Sequence, residues 1–405
     1  MRQKLDVRAM ALLASAHLCD DLNQSFIPAI LPLLVVSLHL SYASAATIVF
    51  AQAASSSVIQ PLIGHLADKR AMPWLIALGI FLAGGGVAVM GVSSSYPILF
   101  VAALVSGIGV AMFHPEAARF ANYVAGPKKA TGMRWFVVGG NLGFAIGPVF
   151  ATVVIAAYGL RGTLAAFVPV TVVAVIVLVE LRRLLSFLPA RRKHGSLPEF
   201  ADDWPSFWKL TSFVITRSMS YLGLVTFIPL YATQSLHASH SVADLLLSTF
   251  LLSGVAGTLI GGTLSDRFSR KLVLVWSVAL MAVLVLVFVR VTQALGIVIA
   301  FPLAIVLGIL ISASQTSYIL LGQEYLPNRI GIASGVTLGI AVSLGGMFTP
   351  ALGRIGDLYG LQWSIVAIAA LCAIAVACGS LLPPHPRRVP FALSRALADG
   401  KESTA

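Results

Sequence analysis

Two short stretches with one pattern decide the fold of this chain: GHLADK at residues 64–69 and GTLSDR at residues 262–267. Both place a glycine, a leucine and an aspartate at the same spacing, and both follow a long apolar run. The second stretch begins 198 positions after the first. A pattern that recurs once at such a distance indicates two halves of similar structure.

Two further landmarks recur in the same order. Gly147-Pro148 and Tyr158-Gly159 in the first half correspond to Thr349-Pro350 and Tyr359-Gly360 in the second, at offsets of 202 and 201. Three landmarks at nearly one spacing predict a duplicated unit, arranged as a parallel repeat of the kind found in large transporters.

The composition is that of a membrane protein. Of the 405 residues, 58% are hydrophobic and 10% are charged, whereas a soluble domain has about 25% charged residues. The mean hydropathy is +0.93. Lipid must therefore surround most of the folded surface, which excludes a soluble protein.

Twelve apolar runs are long enough to form membrane-spanning helices, each of which needs about 20 residues. They cover approximately Ala9 to Leu38, Ala45 to Leu66, Pro73 to Val92, Tyr96 to Tyr123, Met133 to Tyr158, Gly162 to Leu185, Trp208 to Leu236, Val242 to Leu264, Leu272 to Val289, Ala294 to Leu326, Ile330 to Tyr359 and Leu361 to Leu382.

These runs predict an all-α integral membrane protein with twelve transmembrane helices in two pseudo-symmetric six-helix halves. The predicted N-terminal half covers residues 1–186 and the C-terminal half covers residues 208–383. Between them, the polar residues 187–207 form the predicted cytoplasmic linker, and residues 384–405 form a cytoplasmic tail.

The placement of the basic residues behind the net charge of +12 indicates how the chain is oriented in the membrane. Of the 27 basic residues, 22 lie in the N-terminus, the linker, the C-terminus and the joints on the same side of the predicted membrane. The positive-inside rule makes this side cytoplasmic, so both termini are predicted to be cytoplasmic. This placement argues against nucleic acid as a partner.

The sequence predicts no metal or nucleotide cofactor. Cys19, Cys372 and Cys378 lie in apolar runs without the spacing of a disulfide framework or a zinc site. The run Gly84-Gly85-Gly86 follows no strand and precedes no Lys-Ser or Lys-Thr pair, so it is not a phosphate loop. ATP-driven transport is therefore unsupported.

The repeated stretches resemble the cytoplasmic signature of the major facilitator superfamily. The match is fuller at residues 262–271, which read G-x-L-S-D-R-x-x-R-K, whereas the first copy lacks the full trailing basic pair. Gly143-x-x-x-Gly147-Pro148 resembles the fifth-helix motif frequent in the proton-coupled antiporters of this superfamily.

Within the superfamily, the N-terminal half is similar to the bacterial fosmidomycin resistance protein group. The resemblance lies in AHLCDD at residues 16–21, QPLIG at 60–64, FHPEAAR at 113–119 and GGNLG at 139–143. It implies a monomeric inner-membrane exporter in which the proton gradient drives efflux of a small molecule. The C-terminal half shows only the superfamily pattern.

Four polar residues form a stripe on the first helix: His17, Asp20, Asp21 and Gln24. The two aspartates come about 12 residues into the run, or ~18 Å at ~1.5 Å per residue, close to mid-membrane. A charge at this depth is costly and therefore marks function. We expect Asp20 or Asp21 to bind the coupling proton; the alternative is a structural carboxylate paired with a base.

The fourth helix contains His114, Glu116 and Arg119. Glu116 and Arg119 are three residues apart and can pair on one face, whereas an unbroken helix directs His114 elsewhere. One interpretation is a switchable pair, in which protonation of Glu116 frees Arg119 for an anionic substrate. The other is a permanent ion pair at the cytoplasmic end of the helix.

Arg217 stands about nine residues into the seventh predicted helix and corresponds, at the repeat offset, to Cys19. Because first and seventh helices line the central cavity in the resembled fold, Arg217 is expected to face the aspartates. A guanidinium suits a phosphonate or carboxylate ligand, and the alternative role is a counter-ion for the aspartates. Tyr221, Gln315 and Tyr318 are predicted to line the cavity or to belong to the core.

The signature residues Asp68, Asp266, Arg267 and Lys271 are predicted to hold the two halves together when the cytoplasmic side is closed; alternatively they only set orientation. Gly143, Gly147 and Pro148 are predicted to support gating through close helix contact.

The leading prediction is thus a drug/proton antiporter that exports small drugs or metabolites, including anionic, fosmidomycin-like compounds, by alternating access. The nearest alternative is a proton symporter or a uniporter for an organic anion. An intramembrane enzyme is less supported, because no nucleophile and base pair in the sequence, and a non-transporting sensor predicts no flux.

Overall fold

A computed structural model describes residues 5–69, 71–126, 129–188, 201–327, 329, 332–333, 336–337 and 341–383. Within these ranges every regular element is helical, as the apolar runs predict. The N-terminal part contains α1 (Val7–Leu38), α2 (Tyr42–Lys69), α3 (Trp74–Met90), α4 (Tyr96–Val124), α5 (Lys129–Tyr158), a 3-10 helix (Gly159–Ala166), α6 (Phe167–Val179) and α7 (Leu181–Leu185).

The C-terminal part contains α8 (Trp204–Gln234), α9 (His240–Arg267), α10 (Arg270–Leu295), a short 3-10 helix (Ile297–Ile299) and α11 (Ala300–Tyr325), followed by α12 (Ala341–Gly346), α13 (Thr349–Tyr359) and α14 (Leu361–Ser380). Helix α8 begins inside the stretch predicted as a linker, because Asp203 caps it by accepting a hydrogen bond from the Ser206 amide at 3.1 Å. Residues 189–200 and 384–405 lie outside the described residues.

Nine helical stretches of the described chain are long and apolar enough to cross a membrane. One of them, Trp135–Val179, includes most of α5 and all of α6, and the 17-residue α3 is apolar but shorter. An all-helical integral membrane protein is therefore confirmed, while the number of twelve spans stays a prediction.

The two halves pack by the same scheme. In the first half α1 packs on α5, α4 packs on both α2 and α3, and α3 packs on α6. In the second half α8 packs on α12, α11 packs on both α9 and α10, and α10 packs on α14. Corresponding helices thus meet corresponding partners, as a duplicated unit requires.

The start of α1 is fixed at its charged end. Asp6 accepts a hydrogen bond from the Ala9 amide at 2.9 Å and pairs with Arg183 of α7 at 2.8 Å. Partial burial acts to raise the pKa of Asp6, but the Ala9 and Arg183 contacts outweigh it and the pKa is lowered. This cap therefore adds stability at neutral pH and loses it as the pH falls through the lowered pKa.

The halves meet directly at the predicted outer end of the bundle. The carboxylate of Asp357, on α13, accepts hydrogen bonds from the backbone amides of Tyr42 at 2.7 Å and Ala43 at 3.2 Å. These amides belong to the first turn of α2, which has no intrahelical acceptors for them. A negative charge at a helix N-terminus is favourable, so Asp357 ties the second half to the first.

We predict that Asp357→Asn loosens this contact, since an asparagine side chain offers only one acceptor oxygen to the two amides. The substitution should weaken this contact between the halves by about 1–2 kcal/mol. A cysteine at Ala46, which is buried beside the contact, should then react several-fold faster with an impermeant maleimide in a background lacking the native cysteines. Arg354→Gln removes an exposed charge from the same helix and serves as the control. Equal labelling rates in the two variants would contradict the assignment.

Candidate transport site

The polar residues of α1 contact one another along one side of the helix. Asp20 is 0% exposed, Asp21 and His17 are buried, and Gln24 is partly buried. The Gln24 amide nitrogen donates to Oδ1 of Asp21 at 2.6 Å and lies 3.5 Å from Oδ2 of Asp20. The stripe predicted from helical spacing therefore exists.

His114 of α4 joins this stripe and completes a cluster of imidazoles and carboxylates. Its Nδ1 lies 3.4 Å from Oδ2 of Asp20, and its Nε2 lies 3.5 Å from Oδ1 of Asp21. On the other side, His17 Nε2 lies 3.3 Å from Oδ2 of Asp21. The His114 side chain is 29% exposed, so the cluster has one accessible edge.

Backbone carbonyl groups fix both imidazoles. His17 Nδ1 donates to the carbonyl of Phe136 at 2.8 Å, and His114 Nδ1 donates to the carbonyl of Val110 at 3.1 Å. A carbonyl oxygen only accepts, so each Nδ1 carries a hydrogen and each Nε2 is left to face Asp21. The Phe136 ring stacks on His17 with 4.2 Å between the ring centroids.

Helix α5 reaches the cluster because glycines line its contact with α1. A Cβ atom at Gly139 would collide with the carbonyl oxygen of Ala14, and one at Gly143 would collide with that of Leu18. A Cβ atom at Gly140 would lie 2.5 Å from both Oδ2 of Asp21 and Nε2 of His17. The backbone of α5 thus forms one wall of the cluster.

Glu116 and Arg119, nearer the C-terminal end of α4, have partners outside this cluster. Glu116 is fully buried, and its carboxylate accepts from Arg119 at 2.9 Å and from the backbone amide of Met72 at 2.7 Å. Through these described contacts, Glu116 links Arg119 of its own helix to Met72 in the connection between α2 and α3. The prediction that Asp20, Asp21 or Glu116 carries the coupling proton stays a prediction.

Arg217 lies on α8 in the opposite half and is 5% exposed. Its Nη2 donates to the carbonyl of Ile311 at 2.6 Å, and its guanidinium carbon lies 5.3 Å and 5.6 Å from the ring centroids of Tyr221 and Tyr318. Such cation–π contacts favour the positive charge in an apolar setting. Partly buried Gln315 precedes Tyr318 by one turn of α11.

No carboxylate of the described chain forms an ion pair with Arg217. Its Nε, buried from solvent, has no hydrogen-bond partner there either. The guanidinium therefore keeps a donor and an uncompensated charge. The counter-ion role considered from the sequence is not seen in these contacts.

The predicted gating residues give a partial picture. Asp68 and Asp266 lie in α2 and α9, but their side chains lie outside what the structure describes. Arg267 is exposed at the end of α9, and Lys271 donates to the carbonyl of Ser380 at 2.8 Å and to that of Leu382, within its own half. The gating roles of Asp68, Asp266, Arg267, Lys271, Gly143, Gly147 and Pro148 stay predictions.

Sequence reasoning missed two carboxylates that connect the halves. Besides Asp357, buried Asp244 of α9 accepts a hydrogen bond at 2.6 Å from the hydroxyl of Thr152 on α5. Both are acidic residues inside predicted apolar runs. The rule that a charge within a membrane span marks function would have found them.

We predict that Gly140→Ala destabilises the protein, because the added methyl group has no room between His17 and Asp21. Overpacking of this kind costs about 1–3 kcal/mol. Unfolding can be followed in detergent by the thiol reactivity of buried Cys19 and Cys372. The matched control is Gly85→Ala, where the nearest atoms would be those of the Phe167 ring at 3.4 Å. An equal melting temperature for the two variants would refute the close contact.

Comparison with known proteins agrees with this architecture. The chain matches the family model described as Major Facilitator Superfamily over residues 13–350, with a second match over residues 216–399. It is 29% identical over 379 residues to the fosmidomycin resistance protein of Escherichia coli (strain K12), covering 92% of this chain and 91% of that one. It is 28% identical over 379 residues to the uncharacterized MFS-type transporter YfnC of Bacillus subtilis (strain 168), covering 91% of each.

The fold is also found among solved structures. A bacterial homologue of the human lysosomal transporter Spinster, crystallised in an inward-facing and occupied conformation, superposes with a TM-score of 0.76 at 16% identity, covering 98% of both chains. Helical architecture, duplicated halves and the match over most of the sequence agree. The chain is a multi-pass membrane protein and a transporter, not an enzyme, and it belongs to the Major Facilitator Superfamily.

Proposed function

We propose that this protein is a proton-coupled exporter of small anionic drugs or metabolites, working by alternating access. The observation that carries the proposal is Arg217, a buried guanidinium with a free Nε donor and no carboxylate partner among the described residues. A permanent buried charge of this kind is costly unless something neutralises it. A phosphonate or carboxylate on the substrate would do so.

Tyr221 and Tyr318 support the same role. Their rings lie beside the guanidinium of Arg217 and hold it in place. A planar group that is already held in place loses less entropy when it binds an oxyanion with two hydrogen bonds. Nη2 donates one hydrogen to the carbonyl of Ile311 and keeps the other, while Nε has no partner among the described residues. The edge formed by Nε and Nη2 can therefore offer two hydrogens to such an oxyanion.

The likeness to a fosmidomycin resistance protein supports efflux of a drug as the physiological direction. The proposed location is a bacterial inner membrane with both termini cytoplasmic, in agreement with the side on which basic residues concentrate. The proposed working unit is a monomer, since each chain has two halves for a transport cavity. Fosmidomycin, a phosphonate, is the first substrate to test.

Direction and coupling can be tested in everted membrane vesicles. An antiporter accumulates fosmidomycin inside these vesicles when their interior is acid, and a protonophore abolishes the accumulation. A symporter would instead concentrate the drug in right-side-out vesicles when the exterior is acid. A uniporter would equilibrate it without proton movement. Only the first result supports the proposal, and either of the others replaces it.

For the anion site, we predict that Arg217→Gln weakens binding of fosmidomycin to the purified protein by at least about tenfold, the scale of a lost charge-assisted contact. Arg217→Lys should restore only part of the affinity, because an ammonium cannot form the planar fork. Arg290→Gln removes an exposed positive charge from the end of α10 and should bind like the unmodified protein. Unchanged affinity in Arg217→Gln would remove the anion site from the proposal.

A further inference from the structure

Three metal-ligating side chains converge beside α5: His17 and Asp21 from α1, and His114 from α4. Each offers one ligand atom, and these atoms all lie within 4.8 Å of one another. We propose that His17, Asp21 and His114 form a binding site for a divalent transition-metal ion such as Zn²⁺. The site was not expected from the sequence, because its ligands come from two helices separated by about 90 residues.

The orientation of the imidazoles supports a cation between them. Each Nδ1 donates its hydrogen to a backbone carbonyl, which leaves Nε2 of both rings directed toward a carboxylate. A ring nitrogen in this position can bind a metal ion when it carries no hydrogen. A carbonyl that fixes Nδ1 is the usual partner of a histidine that binds metal through Nε2.

The distances are compatible with metal coordination. His17 Nε2 lies 3.3 Å and His114 Nε2 lies 3.5 Å from an oxygen of Asp21, whereas most hydrogen bonds between nitrogen and oxygen are about 2.7–3.2 Å. Ligands about 2.0–2.1 Å from a tetrahedral zinc ion lie ~3.3–3.4 Å from one another. The two contacts, each to a different oxygen of Asp21, therefore have nearly the spacing of neighbouring ligands in a coordination shell.

The donor set selects the class of ion. Two imidazole nitrogens and one carboxylate oxygen suit Zn²⁺, Co²⁺ or Ni²⁺, while Mg²⁺ and Ca²⁺ prefer oxygen ligands alone. Oδ1 of Asp20 is buried next to the cluster and has no hydrogen-bond partner in the described chain. This second carboxylate adds negative charge where the cation would lie.

The ion also has a route and a place. His114 is 29% exposed, so an ion can approach along its edge. Gly140 leaves the opposite wall without a side chain at the point where a Cβ atom would touch His17 and Asp21. Three protein ligands leave a fourth position for water or for an oxygen atom of a bound molecule.

The test is metal binding by the purified full-length protein, prepared without a histidine tag and stripped with a chelator. Titration calorimetry with Zn²⁺ should give one saturable site per chain, and Co²⁺ should give the visible absorption of a four-coordinate complex. His17→Gln and His114→Gln should each weaken Zn²⁺ binding by at least about tenfold. His240→Gln, which changes a histidine at the start of α9, should bind like the unmodified protein.

Each variant is first checked for an unchanged helical circular dichroism spectrum and a monodisperse elution profile. Because its side chain is partly exposed, His114→Gln is the variant that best preserves packing. Absence of saturable binding, or binding that both variants retain, overturns the proposal and leaves a cluster held by protons alone. No transport is measured, so this outcome is independent of whether the chain exports a phosphonate.

Discussion

The interior of a membrane supplies no water to a charged group, and the centre of this protein is arranged around that constraint. Asp20 and Asp21 are buried in α1, so most of their polar partners come from the protein. Gln24 supplies one from the same helix, and His114 supplies another from α4. The close contact of α5 with α1 closes the remaining side with backbone instead of side chains.

The opposite half also buries a charged group, but with different partners. Arg217 is surrounded by the carbonyl of Ile311 and the rings of Tyr221 and Tyr318, none of which carries a negative charge. The first half thus concentrates carboxylates and imidazoles, and the second concentrates one guanidinium and two phenols. Since α1 packs on α8, a molecule bound at their junction meets both chemistries. Alternating access needs such a division, because relative movement of the halves then changes the contacts of a bound solute.

Two polar contacts join the halves at the predicted outer end, beside apolar residues of both halves that pack in one core. Asp357 binds the first turn of α2, and Asp244 accepts from Thr152 of α5. When such a polar contact opens, its groups are released to water and form hydrogen bonds there. The Asp357 contact has no counterpart at the repeat offset, where the first half has Ala156.

The sequence by itself determined the membrane environment, the helical class and the duplicated halves, because hydrophobic length, charge placement and repeat spacing are local properties of a chain in lipid. It also identified the charged residues within the spans, including Asp20, Asp21 and Arg217, since charges are rare there. It predicted proton coupling for Glu116 and substrate binding for His114, and spacing on α4 indicated that they point apart. The Glu116–Arg119 pair followed from their spacing, but only the tertiary structure placed His114 against Asp21 and the backbone amide of Met72 against Glu116. It alone brought Tyr318 to Arg217 and Asp357 to the start of α2. The reason is physical: these partners lie tens to hundreds of residues apart, and their meeting depends on how helices pack, which no single segment encodes.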